Sequence, residues 1–593
     1  MSASIDARLR TLRRRGTLAD IDAHLASLLA RLATDEAEAV ALAGALVAAA
    51  ARSGHVCVDL AAFADRPCFA AALEASGNAS ETEGWRAPPL AAWCARLAAS
   101  GIAGAPSDRR PLVLEGDRLY LYRYWRYEAR LAADLGARAA ARPCVDEARL
   151  AAGLGRLFAD APADDLQRAA AERAVRNGLA VIAGGPGTGK TTTVARVLAL
   201  LLEQSPQAPP AIALAAPTGK AAARLQDALA AARSALGLPP ELEAALPREA
   251  LTLHRLIGLA GAGGSPRHHP EAPLALDALV IDESSMLDLA LAARVVAALP
   301  RAARLVLVGD PDQLDAVEPG NVFASVCAGL PVENLTVLQR SHRFGAAGGI
   351  GRLAAAVRAG DAEAAMAILA ADADGVAWHP RPDAREAVTL AMTGYAPLFA
   401  AAREGAGPAA CHAALARFRV LCALRDGPLG AAGINRGVLA QLQARGDVPH
   451  GVRHYPGQPL LILRNDHALR LFNGDVGVVV RSGASREELA AAFPDGQGGF
   501  RLLSPARLPE SETVYAMTIH KSQGSEFDAA LVVAPRRESA LANRELVYTA
   551  ITRARTRVGL MAEPAALAAA IAARTVRDSG LEARLASGGT SMP

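Results

Sequence analysis

Two rhythms of apolar and polar positions divide the chain. Through residue 155 the apolar residues recur in Ala/Leu-rich, helix-spaced stretches broken by Gly/Ser/Pro loops such as residues 99–108, which predicts a mainly helical N-terminal region. From about Ala163 short aliphatic runs alternate with helical stretches. Runs at residues 179–183, 211–215, 278–281 and 305–308 read as buried strands of a parallel α/β sheet. A second set at 419–423, 514–519, 530–533 and 557–561 predicts another α/β block. From about 448 to 508, short strands at 459–463 and 476–480 and the turn Asn473-Gly474-Asp475 predict a small β insert. No internal sequence repeat relates the two blocks.

Composition narrows the classes. The 593 residues suggest about three to five domains at ~100–200 residues each. With 52% hydrophobic and 21% charged residues, several cores are available and disorder is not the default. Lys+Arg 63 against Asp+Glu 60 leaves a net charge of +3, so a polyanion would have to be met by a local basic surface. The longest apolar run, residues 39–51, falls short of the ~18 residues of a membrane span. The basic start at residues 8–15 has no apolar signal-peptide core after it. Seven scattered cysteines (Cys57, Cys68, Cys94, Cys144, Cys327, Cys411, Cys422) argue for a reducing compartment, and the first four lie too far apart for a compact metal knuckle. The expectation is a soluble cytoplasmic protein with no membrane partner.

Only three of the 63 basic residues are lysine: Lys190, Lys220 and Lys521. A compact charge on a flexible stem is kept where a planar guanidinium would not serve. Each of the three lies in a motif. The predicted strand 179–183 runs into Gly184-Gly185-Pro186-Gly187-Thr188-Gly189-Lys190-Thr191 and then into a helical stretch at 192–202. In that strand–loop–helix context G-x-x-x-x-G-K-T is a phosphate-binding loop. Its backbone N–H groups and the helix N-terminus attract phosphate. Lys190 would reach the β/γ-phosphates and the Thr191 hydroxyl would ligate Mg²⁺. Further on, the strand at 278–281 ends in Asp282-Glu283, which places both carboxylates at the carboxyl edge of the sheet. Asp282 would hold Mg²⁺, and Glu283 would orient and deprotonate the attacking water. The plainer alternative is an acidic cap for the next helix. Loop and acidic pair together describe binding and hydrolysis of a nucleoside triphosphate.

Further motifs point beyond a simple ATPase. Ala216-Pro217-Thr218-Gly219-Lys220 repeats the strand-to-helix logic without a full loop, so Thr218 and Lys220 could grip a nucleic-acid phosphate. Gln313 follows the strand at 305–308, placed to sense a γ-phosphate. Leu338-Gln339-Arg340-Ser341-His342-Arg343-Phe344 and Tyr548-Thr549-Ala550-Ile551-Thr552-Arg553 bring arginines, and Thr518-Ile519-His520-Lys521-Ser522-Gln523-Gly524-Ser525-Glu526-Phe527 brings the third lysine.

This ordered set resembles the superfamily 1 helicases of the 5′→3′ branch and, within them, the exodeoxyribonuclease V alpha-subunit (RecD) family. Residues 54–60, 111–116, 123–125, 252–256 and 471–477 extend the resemblance over nearly the whole chain. It implies an α/β fold with two RecA-like P-loop motor domains, at 156–340 and at 341–445 with 512–593. It also implies a helical N-terminal partner-docking domain at 1–155, a wedge near 258–275 and a small barrel-like insert at 446–511. Implied cofactors are ATP and Mg²⁺. The implied activity is that of a 5′→3′ DNA helicase acting on single-stranded and double-stranded DNA ends with RecB and RecC in double-strand-break repair. A free-standing helicase of the same branch, or an ATP-gated assembly subunit, are the alternatives.

Residue by residue, the resemblance gives Gln167 an adenine-reading role, with a solvated helix glutamine as the alternative. It sends Arg343 and Arg553 across the cleft to the γ-phosphate, against an ordinary ion pair, and Glu526 to the ribose. It assigns Thr218, Lys220, Thr252, His254, Thr518, His520 and Lys521 to single-stranded DNA, although His254 alone would also suit a structural histidine. The tyrosine-rich stretch at 118–127 reads as domain core or docking surface rather than base-stacking platform. The residues two before the three lysines are Thr188, Thr218 and Ile519, so the acidic-x-Lys pair of a restriction-type nuclease core is absent. The nuclease chemistry is therefore expected in a companion subunit. The purified chain should leave labelled duplex and single-stranded DNA intact on a gel with Mg²⁺; shortening of the label without ATP would refute this.

Overall fold

The computed structural model describes residues 2–69, 85–162, 164–259, 264–341, 343–344, 348–466, 468–482, 488–496, 498–536, 539 and 541–588. His342, and residues 260–263 of the expected wedge, lie outside the described residues.

The aliphatic runs of the first block form a six-stranded parallel sheet. Its order is Leu335–Leu338, Leu179–Gly184, Arg304–Gly309, Ala278–Ile281, Ile212–Ala216 and Ala250–Thr252. Every residue of Leu179–Gly184 and of Ala278–Ile281 is buried, because helices cover both faces and leave no solvent-facing side to alternate with. Parallel pairing puts all the carboxyl ends on one edge. The phosphate loop, Asp282, Asp310, Thr218 and Thr252 therefore emerge together. The second block gives a five-stranded parallel sheet in the order Val376–His379, Ala554–Met561, Phe527–Val533, Phe418–Cys422 and Ala516–Thr518. The strands at Leu335–Leu338, Ala250–Thr252 and Val376–His379 carry no strong apolar run, and the sequence reading passes over them; all three are sheet edges.

The insert is a five-stranded antiparallel sheet with Phe500–Leu503 and Ser511–Thr513 at its two ends. Among the described residues its strands pair in linear order, through Glu488–Pro494, Val476–Ser482 and Pro459–Ile462. It leans on the second block, where Val478, Val480 and Ala492 share a core with Val420 and Leu531.

The N-terminal region is mainly helical, as expected, and adds a small sheet that the sequence reading passes over. Helices Ser2–Arg14, Asp20–Leu32 and Ala37–Arg52 pack with a four-stranded sheet ordered Cys57–Asp59, Arg118–Leu121, Leu112–Glu115 and Ala103–Gly104. These strands are only two to four residues long, too short to display an alternating pattern. Helix Tyr122–Ala140 leaves the N-terminal sheet and packs against Leu289–Ala298 of the first block. There the Arg138 guanidinium donates to the carbonyls of Leu299 (2.8 Å) and Ala303 (2.6 Å). Tyr120 and Trp125 of the aromatic stretch are core residues, 0% and 6% exposed. Among the described residues, no helix is long and apolar enough to cross a membrane.

The C-terminal segment closes the assembly. Glu128, fully buried on the linking helix, accepts hydrogen bonds from Tyr120 Oη (3.2 Å), Ser579 Oγ (2.6 Å), the Gly580 N–H (2.9 Å) and Arg584 Nε (3.1 Å). Asp578 meets His55 Nδ1 at 3.0 Å, while the Val56 N–H donates to the Asp578 carbonyl at 2.8 Å. Removing the Glu128 carboxylate strands several buried donors and an arginine. Glu128→Ala should therefore lose about 3–5 kcal/mol, read as a lowered urea midpoint, with Glu128→Gln losing less.

Candidate active site between the two parallel sheets

Leu179–Gly184 delivers the phosphate loop and helix Lys190–Glu203 carries it away. Gly187 and Gly189 stand at φ +76° and +82°, in the left-handed region that glycine tolerates. A Cβ on Gly187 would lie 2.4 Å from Arg343 Cβ, and one on Gly189 2.3 Å from Gln167 Nε2, so neighbours close in on both bare backbones. Thr188 Oγ1 donates to the Gly185 carbonyl at 2.8 Å. Lys190 Nζ donates to the carbonyls of Gly184 (2.6 Å) and Gly185 (3.0 Å), which holds the ammonium against the loop. Gln167 donates from Nε2 to the Thr188 carbonyl (3.1 Å) and accepts at Oε1 from Arg196 (3.3 Å).

These residues line a cleft of about 580 Å³ that also takes in Thr191, Asp282, Glu283, Gln313, Arg224, Arg343, Glu526 and Arg553. It thus joins the first block to Arg343, just after strand Leu335–Leu338, and to the second block. Asp282 Oδ1 accepts from the Glu283 N–H at 2.8 Å. Burial, then the adjacent Glu283 charge, push the Asp282 carboxyl up to about 6. Glu283 stands at φ +51°, a strained position for a residue with a Cβ. The capping alternative fails here. Asp288 caps helix Leu289–Ala298 by accepting from the Leu291 N–H at 2.8 Å, and Glu283 makes no side-chain cap to the short turn that follows it.

From the far side, Arg553 is 2% exposed and all three of its nitrogens are engaged: Nε with the Thr549 carbonyl (3.3 Å), Nη1 with the Ser525 carbonyl (3.2 Å) and Nη2 with Gln313 Oε1. Gln313 in turn donates from Nε2 to Asp310 Oδ2 at 2.9 Å. Glu526 sits at the centre of an arginine cluster: Arg343 Nη2 at 2.6 Å, Arg555 Nε at 3.2 Å and Arg224 Nη2. Burial raises its pKa, but Arg224 and Arg343 outweigh that and hold the carboxyl down at about 2. Arg224 is absent from the sequence reading, although it stands four residues after Lys220 on one helix face, the spacing that would have suggested it.

The cleft fits a nucleoside triphosphate with a divalent cation. Arg343 Nη1 is buried there with no hydrogen-bond partner, the donor that a phosphate oxygen satisfies. The crowded Asp282–Glu283 pair, with Asp282 raised partly by its neighbour's charge, offers the oxygen donors a hard cation takes.

The residues assigned to DNA lie at the neighbouring sheet edges. Ala216 pairs in register with Thr252, so Thr218 and Thr252 emerge side by side. Each caps a helix, Thr218 Oγ1 accepting from the Ala221 N–H (3.2 Å) and Thr252 Oγ1 from the Arg255 N–H (3.3 Å), and each keeps its hydroxyl proton for an outside acceptor. His254 and His520 are exposed, Thr518 is half-buried, and Lys521 pairs with Glu512 at 2.6 Å. Lys220 is more enclosed. Burial, then Arg419, push its ammonium down to about 8 against the pull of Asp475 on the insert.

Residues 14–120 match the RecBCD enzyme subunit RecD N-terminal domain, 167–319 an AAA domain, and 513–561 the UvrD-like helicase C-terminal domain. The chain is 42% identical to the RecBCD enzyme subunit RecD of Mycolicibacterium smegmatis over 95% of its own length and 97% of that protein's. It is 41% identical to the RecD subunit of Mycobacterium tuberculosis over 98% and 97%. The chain belongs to the RecD family. A more distant relative, the ATP-dependent RecD2 DNA helicase of Deinococcus radiodurans, is 30% identical over 74% of this chain and 54% of that one. In this RecD-family chain the bare loop backbone is the sharpest steric demand of the cleft. Gly187→Ala adds left-handed strain of about 1–3 kcal/mol and a clash, and should weaken binding of a fluorescent ATP analogue ~10-fold or more. Gly446→Ala, at φ +74° with open space around it, is the control and should bind normally.

Proposed function

We propose that this chain is an ATP-dependent 5′→3′ DNA helicase that works as the RecD subunit of a RecBCD-type complex with RecB and RecC, on DNA ends in the cytoplasm. The observation that carries the reading is the convergence of a phosphate loop, an acidic pair and arginines from the opposite block on one cleft. The working division is an N-terminal region at 1–155, whose helix Tyr122–Ala140 packs on the first motor domain, then motor domains at 156–340 and at 341–445 with 512–593, with the insert at 446–511.

In this reading Thr191 and Asp282 hold Mg²⁺, which supplies charge neutralisation at the phosphates when bound. Gln167 borders the base end, and the loop N–H groups with Lys190 orient the phosphates. Glu283 holds and takes the proton of the attacking water. Arg343 presents its unpartnered Nη1 to the charge that develops at the terminal phosphoryl group. Gln313 and Arg553, bonded to each other, carry the state of that group between the blocks. Thr218, Lys220, Thr252 and His254 on one block and Thr518, His520 and Lys521 on the other grip the strand alternately as the cleft closes and opens. Such contacts go to the backbone, so binding is sequence-tolerant and weakens with salt.

The test is steady-state ATP hydrolysis with and without a single-stranded oligonucleotide. The wild type should be stimulated. Arg343→Ala should lower kcat by ~10³-fold or more with little change in nucleotide binding. ATP turnover indifferent to DNA would overturn the reading.

A further inference from the structure

Two sequence features that the cleft leaves unused meet in one pocket: the basic–aromatic stretch ending at Tyr127, and His268-His269 of the segment after His254. The pocket has a volume of about 310 Å³ and lies between helix Tyr122–Ala140, residues 266–270 and helix Leu289–Ala298. Arg123, Arg126, Tyr127 and Arg130 line it at helical spacing, so one helix face supplies three guanidinium groups. Arg294 adds a fourth from the facing helix. No carboxylate is among the described residues that line it.

The charges are held ready rather than neutralised. Arg294 Nη2 donates to Tyr127 Oη at 3.2 Å with its guanidinium 5.8 Å from the ring centroid. Arg123 donates to Tyr124 Oη at 2.9 Å. Arg126 has no hydrogen bond or ion pair among the described residues, and His268 Nδ1 is buried with no partner. Arg130 meets one carboxylate, Asp134, at 3.9 Å. The carboxylate Glu271 is engaged by His269 at 2.7 Å.

We infer that this pocket binds a nucleotide of single-stranded nucleic acid outside the motor track, with a phosphodiester on the arginines and the base against Tyr122 and Tyr127. Its volume is at the small end of ligand clefts, about 300–1,000 Å³, which suits a single nucleotide and not a duplex. Arginine fits phosphate oxygens in pairs, and tyrosine rings accept any base by stacking. Position favours nucleic acid over an acidic protein segment. The His268 N–H donates to the Ile257 carbonyl at 3.0 Å and the Arg267 N–H to the Gly258 carbonyl at 3.3 Å. The pocket is thereby tied to the short element bearing Thr252 and His254, so a strand held there has the pocket beside it.

The inference rests on the helicase reading, and the experiment separates the two. The full-length chain and an Arg123→Gln/Arg126→Gln variant are titrated with a fluorescein-labelled oligothymidine at several salt concentrations, and ATP hydrolysis without DNA is measured as a fold control. Both side chains are exposed, so the variant should hydrolyse ATP at the wild-type basal rate. Its affinity should fall several-fold, and its log K against log salt should flatten by about 0.7 for each phosphate that the variant no longer neutralises. A 4-thiothymidine oligonucleotide should cross-link within residues 122–130. Identical affinity and slope in the two proteins would overturn the inference alone. Loss of co-purification with companion subunits while oligonucleotide binding stays intact would also overturn it, in favour of a protein surface. A wild type that binds no oligonucleotide would sink the helicase reading as well.

Discussion

One buried carboxylate organises the centre of this molecule. Glu526 draws Arg224 from the first block, Arg343 from the stretch just after strand Leu335–Leu338 and Arg555 from its own block to a single point beside the phosphate loop. Unpaired arginines so close together would repel one another, and the cleft would have no reason to hold its shape. With Glu526 ionised, as its pKa of about 2 requires, the guanidinium groups are fixed where an anionic ligand is expected. Arg343 still keeps one buried N–H unspent. The arrangement leaves the cleft assembled and one donor short of satisfaction, which is a binding site's condition.

The same neighbourhood joins the two sheets mechanically. Tyr548 Oη donates to Asp310 Oδ2 at 3.1 Å, the Leu314 N–H donates to Thr549 Oγ1 at 2.9 Å, and Gln523 Nε2 donates to the Leu314 carbonyl at 2.9 Å. Together with the Gln313–Arg553 bond, these contacts all fall between the 310–314 loop and elements of the second block. The loop begins where Arg304–Gly309 ends, next to the phosphate-loop strand. A change at the phosphates therefore reaches the second block through hydrogen bonds within a few residues. Gly524 also approaches Ala221 at the start of the helix that carries Lys220.

At the opposite end, the N-terminal region is anchored by the last part of the chain. Asp578, Ser579, Gly580 and Arg584 reach back to His55 and Glu128, and Arg577 donates to the carbonyls of Glu318 (3.0 Å) and Gly320 (3.1 Å). Three distant stretches of sequence close on each other there. The linking helix serves two surfaces, with Trp125 and Leu131 inward and its arginine face outward toward residues 266–270.

The sequence by itself determined the parts whose cause is local. A fully buried parallel strand must be an unbroken aliphatic run, and a phosphate loop needs glycines and lysine at fixed spacing, so both are written in consecutive residues. The acidic pair and the motif threonines are legible for the same reason. Tertiary structure alone decided what depends on distant partners. Glu526 reads as a single acid in a motif until the fold brings Arg224, Arg343 and Arg555 around it. The N-terminal strands are too short to show a pattern, and they exist because Tyr122–Ala140 and the C-terminal segment brace them. The docking of the insert on the second block, the half-burial of Lys220 and the meeting of His268 with Arg126 in one pocket follow from packing between segments far apart in the chain. No local spacing encodes those, because their energy arises only when the surfaces meet.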